Sequence, residues 1–263
     1  MSKKLLFIGI AFSLFIARLS GQSEQLVVNL SSAVSQGMLT FENPKGSIKV
    51  TGYEGEVILV TGTLRFIESD KALVGGMKKI GQNQIDISAE VNGNDILIQS
   101  TIAGKTVDFD IKVPRNFSLK LKSLDNGKVE IINVKGEIVI ENSNGDITLE
   151  NVSGSAVLST VYGNISANFR EVSLESPMMF TSFEGDISIT LPSTVNAKLK
   201  MKSEKGEILS DFDIKPAGRQ PVVKNVENKQ VYSLENWVVG SINSGGPEYT
   251  ISSYTGNIIL KKK

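Results

Sequence analysis

Between Gly127 and Glu171, apolar side chains return at every second position, break at a glycine and start again. The segment reads as five units, GKVEIINVK, GEIVIENSN, GDITLENVS, GSAVLSTVY and GNISANFRE. They open at Gly127, Gly136, Gly145, Gly154 and Gly163, nine residues apart. Two positions after each glycine stand Val129, Ile138, Ile147, Ala156 and Ile165; four after stand Ile131, Ile140, Leu149, Leu158 and Ala167. Residues two apart share one face of a strand, so each unit predicts a short, half-buried strand. The position directly after glycine is always polar (Lys128, Glu137, Asp146, Ser155, Asn164), which suits a corner facing water. Glycine supplies that corner because it has no Cβ to clash at positive φ.

The unit recurs outside this run, at Gly46 (GSIKV), Gly55 (GEVILV), Gly185 (GDISI), Gly206 (GEIL) and Gly256 (GNIIL). Recurrence on this scale predicts a stacked array. Two architectures fit: an antiparallel meander in which each Asn-Gly is a hairpin turn, and a solenoid in which each glycine is a corner of a coil. A second period favours the solenoid. The third position after glycine reads Glu130, Val139, Thr148, Val157 and Ser166, so like residues are eighteen apart, as if one coil held two strands. Gly163, Gly185 and Gly206 follow at 22 and 21 residues, close to one coil each. The expected fold is therefore all-β, a parallel β-solenoid (β-helix-like) with coils of about 18–22 residues, right-handed by the general bias of parallel crossovers. One short helix is expected near residues 68–80, where Leu73, Met77 and Ile80 share a face and Ser69 or Asp70 stands as cap. Residues 211–230, with two prolines and little alternation, read as a loop.

Composition adds an address. Lys3 and Lys4 precede an apolar run from Leu5 to Ala17, followed by RLSGQ. The run falls short of the ~20 residues that span a bilayer, so residues 1–21 read as a cleaved export signal and 22–263 as a single domain. The chain has no cysteine, which excludes a lipid anchor at the cleavage site and any disulfide. Its 28 basic and 28 acidic side chains cancel, so no nucleic acid is expected as partner, and with the signal removed no membrane insertion is expected. Periplasm, cell surface or medium is the expected location.

In order along the chain, VGGMKKIG, VPRNFSLKLKSLDNGKVEI, NGDITLENVSG, GDISITLPSTVNAKLKMKSEKGEILSDFDI and INSGGPEYTISSYTGNIILKK are similar to the landmarks of an adhesin-like family of β-strand-repeat domains of unknown function. The resemblance runs from about Gly46 to Lys263. It implies a solenoid-like domain exported to a cell envelope and carries over no catalytic or binding residues.

The residues themselves limit the chemistry. Without histidine or cysteine, Ser-His-Asp and Cys-His catalysis and imidazole or thiolate metal sites are excluded. The calcium-binding β-roll also repeats every nine residues, but it needs carboxylates at a fixed place. Asp146 shares its slot with Lys128, Ser155 and Asn164, so Asp146 and Asp186 read as solvated corner residues. The expectation is no catalytic residue, no cofactor and no metal: a non-enzymatic interaction module whose partner is an envelope protein or a glycan. The alternative is a polysaccharide-active lyase or hydrolase, which would need two outward carboxylates in one groove. Eighteen-residue stacking places Asp146 against Lys128 and Asn164, and Glu137 against Ser155, with Glu150 facing Ile132 and Asn168; the regular run holds no acidic pair. Tyr232, Trp237, Tyr249 and Tyr254 gather aromatics near the C-terminus; core closure of the last coils is the bland reading, partner contact the sharp one. Asn133, Asn142 and Asn151 each follow their glycine by six residues and predict a structural amide ladder along a corner. The export reading has a direct check: protein recovered from its host should begin at Gln22 by intact mass, and a membrane-bound species retaining Met1 would overturn it.

Overall fold

The computed structural model describes residues 23–30, 36–65, 85–101, 104–125, 127–217, 222–226, 229–233 and 236–263. The export segment at 1–21 and the helix expected near 68–80 lie outside these residues. Among the described residues every regular element is a strand and none is a helix. The N-terminal strands are Ser23–Asn29 (β1), Gly37–Lys45 (β2), Ile48–Tyr53 (β3), Val57–Leu64 (β4), Asp86–Asn92 (β5), Asp95–Thr101 (β6) and Val107–Pro114 (β7). The central ones are Phe117–Asp125 (β8), Val129–Ile132 (β9), Lys135–Asn144 (β10), Ile147–Tyr162 (β11), Ile165–Val172 (β12), Met178–Glu184 (β13) and Ile187–Leu191 (β14). Ala197–Ser203 (β15), Ile208–Ser210 (β16), Lys215–Pro216 (β17), Val222–Val226 (β18), Lys229–Ser233 (β19), Val238–Ile242 (β20), Glu248–Ser253 (β21) and Ile258–Lys262 (β22) complete the chain.

Two parallel ladders carry the structure. The front ladder runs β6, β2, β8, β10, the second half of β11, β13, β21 and β15. The back ladder runs β7, β3, β9, the first half of β11, β12, β14, β22 and β16. Each front strand turns at a corner into its back strand, forming one layer. In the central run the register offset is eighteen: Val139 pairs with Val157 and Thr148 with Ser166. One layer on, Ile165 pairs with Ile187, twenty-two residues away. Inward positions of both ladders, such as Ile138 and Ile140 in front and Ile147 and Leu149 behind, belong to one buried core. Full burial of each such side chain contributes on the order of 1.5–3 kcal/mol.

The glycine corners stack on one another. A Cβ on Gly127 would overlap the carbonyl oxygen of Gly46, and the same holds for Gly145 on Gly127, Gly163 on Gly145, Gly185 on Gly163, Gly256 on Gly185 and Gly206 on Gly256. Three or four residues before each corner, an inward polar side chain donates a hydrogen bond to the corner carbonyl of a neighbouring layer. Asn142 Nδ2 reaches Gly127 O at 3.2 Å, Thr160 Oγ1 reaches Gly145 O at 3.2 Å, and Ser182 Oγ reaches Gly163 O at 2.9 Å. Ser253 and Ser203 do the same to Gly185 and Gly256 at 3.0 and 2.8 Å. On the outer side, Asp146 Oδ1 accepts from Asn164 N–H at 2.7 Å, and Asp186 Oδ1 accepts from Asn257 N–H at 2.7 Å. These two carboxylates are exposed, and each also ties one layer to the next.

Three expectations change. The layer after Gly185 is not that of Gly206: β22 lies between β14 and β16, so the C-terminal layer is inserted rather than terminal. Repeats with the same inward pattern are interchangeable as neighbours, and spacing along the chain does not rank them. The amide ladder divides: Asn151 Nδ2 donates to Asn133 Oδ1 at 2.6 Å at one corner, whereas Asn142 sits beside the glycine stack. Residues 211–230 are not wholly loop, because β18 and β19 form an antiparallel hairpin, in keeping with the β-branched residues of Val222–Val226. The ladders also carry antiparallel strands at their ends: β5 lies on β6, β4 and then β1 on β7, and β20 on β15.

The stack makes Gly145→Ala the decisive substitution. Gly145 has φ 138° and the Gly127 carbonyl against its missing Cβ, so alanine should remove about 3 kcal/mol or more of stability. Gly93, at φ 64° with open space around it, should lose only about 1–2 kcal/mol in Gly93→Ala. Urea unfolding of both variants measures the contrast.

Candidate binding face on the front ladder

Outward positions of the front ladder form columns running across the layers. One column reads Thr40, Lys120, Val139, Val157, Met179, Thr250, Lys200. The next reads Glu42, Lys122, Glu141, Ser159, Thr181, Ser252, Lys202. Toward the C-terminal layers lies an aromatic strip. Phe183 stacks on Tyr254 with ring centroids 4.9 Å apart and 5° between planes, and Tyr162 meets Phe183 edge-on at 6.5 Å. Tyr162 and Phe183 are 53 % and 50 % exposed, and Tyr254 is 40 % exposed. Lys205 Nζ lies 4.8 Å from the Tyr254 ring, and Lys200 Nζ lies 4.7 Å from that of Trp237. Lys202 is ion-paired with Glu204. Of these groups, Phe183, Tyr254, Trp237, Lys202 and Glu204 line a groove of about 450 Å³.

A second groove, about 560 Å³, opens at the other end of the same face, lined among others by Thr40, Glu42, Gln99, Lys120, Lys122 and Glu141. Here Glu42 and Glu141 lie on either side of Lys122 in one column, two strands and therefore ~9.6 Å apart at Cα. The regular run alone did not reveal this pair, because Glu42 comes from the N-terminal layer. The stacks expected for Asp146 on Asn164, Glu137 on Ser155 and Glu150 on Ile132 are present. Among the described residues no group of three or more acidic side chains could hold a metal ion.

The C-terminal aromatics divide. Tyr249 is 1 % exposed and belongs to the core, while Tyr254 lies on the surface strip and Trp237 beside the lysines; the side chain of Tyr232 lies outside the described residues. Tyr162 and Phe183, which complete the strip, escaped the sequence reading because they are far from Tyr254 in the chain. Only insertion of β21 beside β13 brings Phe183 and Tyr254 together.

An all-β fold of stacked parallel strands with glycine corners defines the class, and the chain is a member of a known family of that kind. It matches the Toastrack DUF4097 family over residues 16–261 and belongs to it. Among solved structures it is similar to a candidate cell adhesion protein from Clostridium sporogenes, at 14 % identity and TM-score 0.44, over 92 % of this chain and 99 % of that one. It is also similar to a candidate adhesin from Bacteroides fragilis, at 14 % identity and TM-score 0.37, over 93 % and 98 %. No curated protein matches the chain.

The Tyr249 hydroxyl is buried with no hydrogen-bond partner among the described residues. Desolvation pushes its pKa up to about 12 from 10.0, so the folded protein holds a proton that the unfolded chain releases first. Stability should thus be level below pH 10 and fall as pH rises from about 10 to about 12. Tyr249→Phe should flatten that decline and, at pH 7, be neutral or stabilising by up to about 1 kcal/mol. Chemical denaturation across pH reads both effects.

Proposed function

We propose that the chain is an exported, non-enzymatic β-solenoid, with right-handed coils of about 18–22 residues. In this reading residues 22–263 serve as a cell-envelope or surface interaction module that binds an envelope protein or a glycan through the outer face of the front ladder. The observation that carries the reading is the aromatic strip of Tyr162, Phe183 and Tyr254, half exposed on a hydrogen-bonded sheet. A rigid scaffold spends little entropy on presenting such rings, and clustered exposed aromatics are the common anchors of interfaces. Right-handed winding is inferred from the bias of parallel crossovers. Export is inferred from the N-terminal segment; among the described residues no helix is long and apolar enough to cross a membrane.

One observation favours the alternative, a polysaccharide-active enzyme. Glu42 and Glu141 share a groove and sit two strands apart in one column, and an inverting glycosidase needs two carboxyl groups facing each other across such a groove. Against it stands Lys122, placed between them in register, which makes the series an ordinary cross-strand column of alternating charge.

Both readings meet one experiment: a glycan array and an envelope-protein pull-down with intact protein, the Phe183→Ser/Tyr254→Ser variant and Glu141→Gln. The aromatic variant should keep its fold, since both rings lie on the surface, and lose about 2 kcal/mol of binding, roughly 30-fold in Kd. Binding that survives both ring substitutions would remove the strip from the interface. Release of reducing ends from any bound glycan, abolished in Glu141→Gln, would replace the binding module with the enzyme.

A further inference from the structure

The corners opposite the glycine stack enclose a concavity of about 220 Å³, away from the front-ladder grooves. Its rim carries Arg115 from the turn between β7 and β8, Lys135 at the start of β10, and Arg170 in β12. No carboxylate lines it. Arg115 Nε is paired with Glu54 Oε1 at 2.9 Å, which leaves its terminal nitrogens for another acceptor. Lys135 and Arg170 have no ion pair among the described residues. Cations gathered around one hollow repel one another, and nothing in the repeat demands them there.

The frame beneath them is built and rigid. Lys135 N–H donates to Arg115 O at 2.7 Å, Ser153 N–H to Val134 O at 2.9 Å, and Asn133 N–H to Glu150 O at 3.0 Å. Asn133 and Asn151 take positive φ, 59° and 53°, which carries their side chains to the lip of the hollow. The Asn151 amide donates to Asn133 Oδ1 at 2.6 Å, so the acceptor of Asn133 is occupied while its own N–H donors remain. Val134, 1 % exposed, closes the floor.

We propose that this hollow binds a tetrahedral oxyanion, a phosphate or sulfate group, either free or as the terminal group of a larger molecule. Three cations from three elements exceed the two oxygens of a carboxylate and match the three terminal oxygens of a phosphate monoester. Guanidinium groups pair with such oxygens by parallel N–H donors. The volume leaves room beside the anion for the group that bears it. The site is independent of the front-ladder face, and its failure would leave that face untouched.

Isothermal titration of the intact protein with inorganic phosphate, sulfate, glucose 1-phosphate and glucuronate at matched ionic strength tests the assignment. Lys135→Gln/Arg170→Gln serves as the comparison. Both positions are exposed, so the variant should melt with the wild type in chloride; Lys135→Arg/Arg170→Lys keeps the charges and should bind if folding is intact. Saturable phosphate or sulfate binding, weakened at least tenfold in the glutamine variant, is the expected result. Tighter binding of glucose 1-phosphate than of phosphate points to a carried group, and equal binding to the free ion. Absence of saturable oxyanion binding, equal affinity in the glutamine variant, or glucuronate binding as tightly as phosphate would each overturn the assignment.

Discussion

The contact on which everything else depends is the approach of one corner to the next. Parallel strands in neighbouring layers lie ~4.8 Å apart, and at the stacked glycines the backbone of one layer occupies the space where a Cβ of the next would stand. A side chain at any of these corners would separate two layers, and with them the strands on both sides. The column formed by Asn142, Thr160, Ser182, Ser253 and Ser203 answers the same geometry from inside. A turn that brings carbonyls into the core must supply donors to them, because an unpaired buried acceptor costs on the order of 1–3 kcal/mol. One donor is enough, which explains why serine, threonine and asparagine all serve; the Asn142 oxygen itself goes unpaired among the described residues.

The second consequence concerns the ends. A stack of parallel strands terminates in unpaired backbone, which invites pairing with another chain. At both ends the chain solves this in the same way. The layer of β2 and β3 is slotted between that of β6 and β7 and that of β8 and β9. The layer of β21 and β22 is slotted between that of β13 and β14 and that of β15 and β16. Antiparallel strands then lie on the outermost layers. Segments near both termini are thereby held between neighbours rather than left to fray, in a chain with no disulfide to hold them.

Strands, corners and the parallel offset were legible because interior positions in a stacked repeat all meet the same environment, so the pattern is imposed at every unit. Val139 resembles Val157 because the two are neighbours. The same eighteen-residue alternation already separates Asn142 from Asn133 and Asn151; grouping all three by the nine-residue unit overlooked that successive units turn opposite corners. What could not be read was the order of layers. GEIL at Gly206 and GNIIL at Gly256 present equivalent inward faces, and nothing local decides which packs on Gly185. Every outward column that crosses an inserted layer was hidden with it, including the aromatic strip and the Glu42–Lys122–Glu141 series.

This asymmetry says where function can reside in such a molecule. Inward and corner positions are held by the approach of the layers, and their tolerance is set by stability alone. Outward positions carry no such constraint, so a departure from scattered polar residues there requires its own cause. Two departures stand out: exposed rings in contact from β11, from β13 and from the residue after β21, and three cations around a hollow framed by β10, β11 and β12. Each is assembled from side chains in different layers, so neither exists until the stack has formed. A binding site of this kind reports on the completed fold, because loss of any layer that supplies one of its side chains removes that contact.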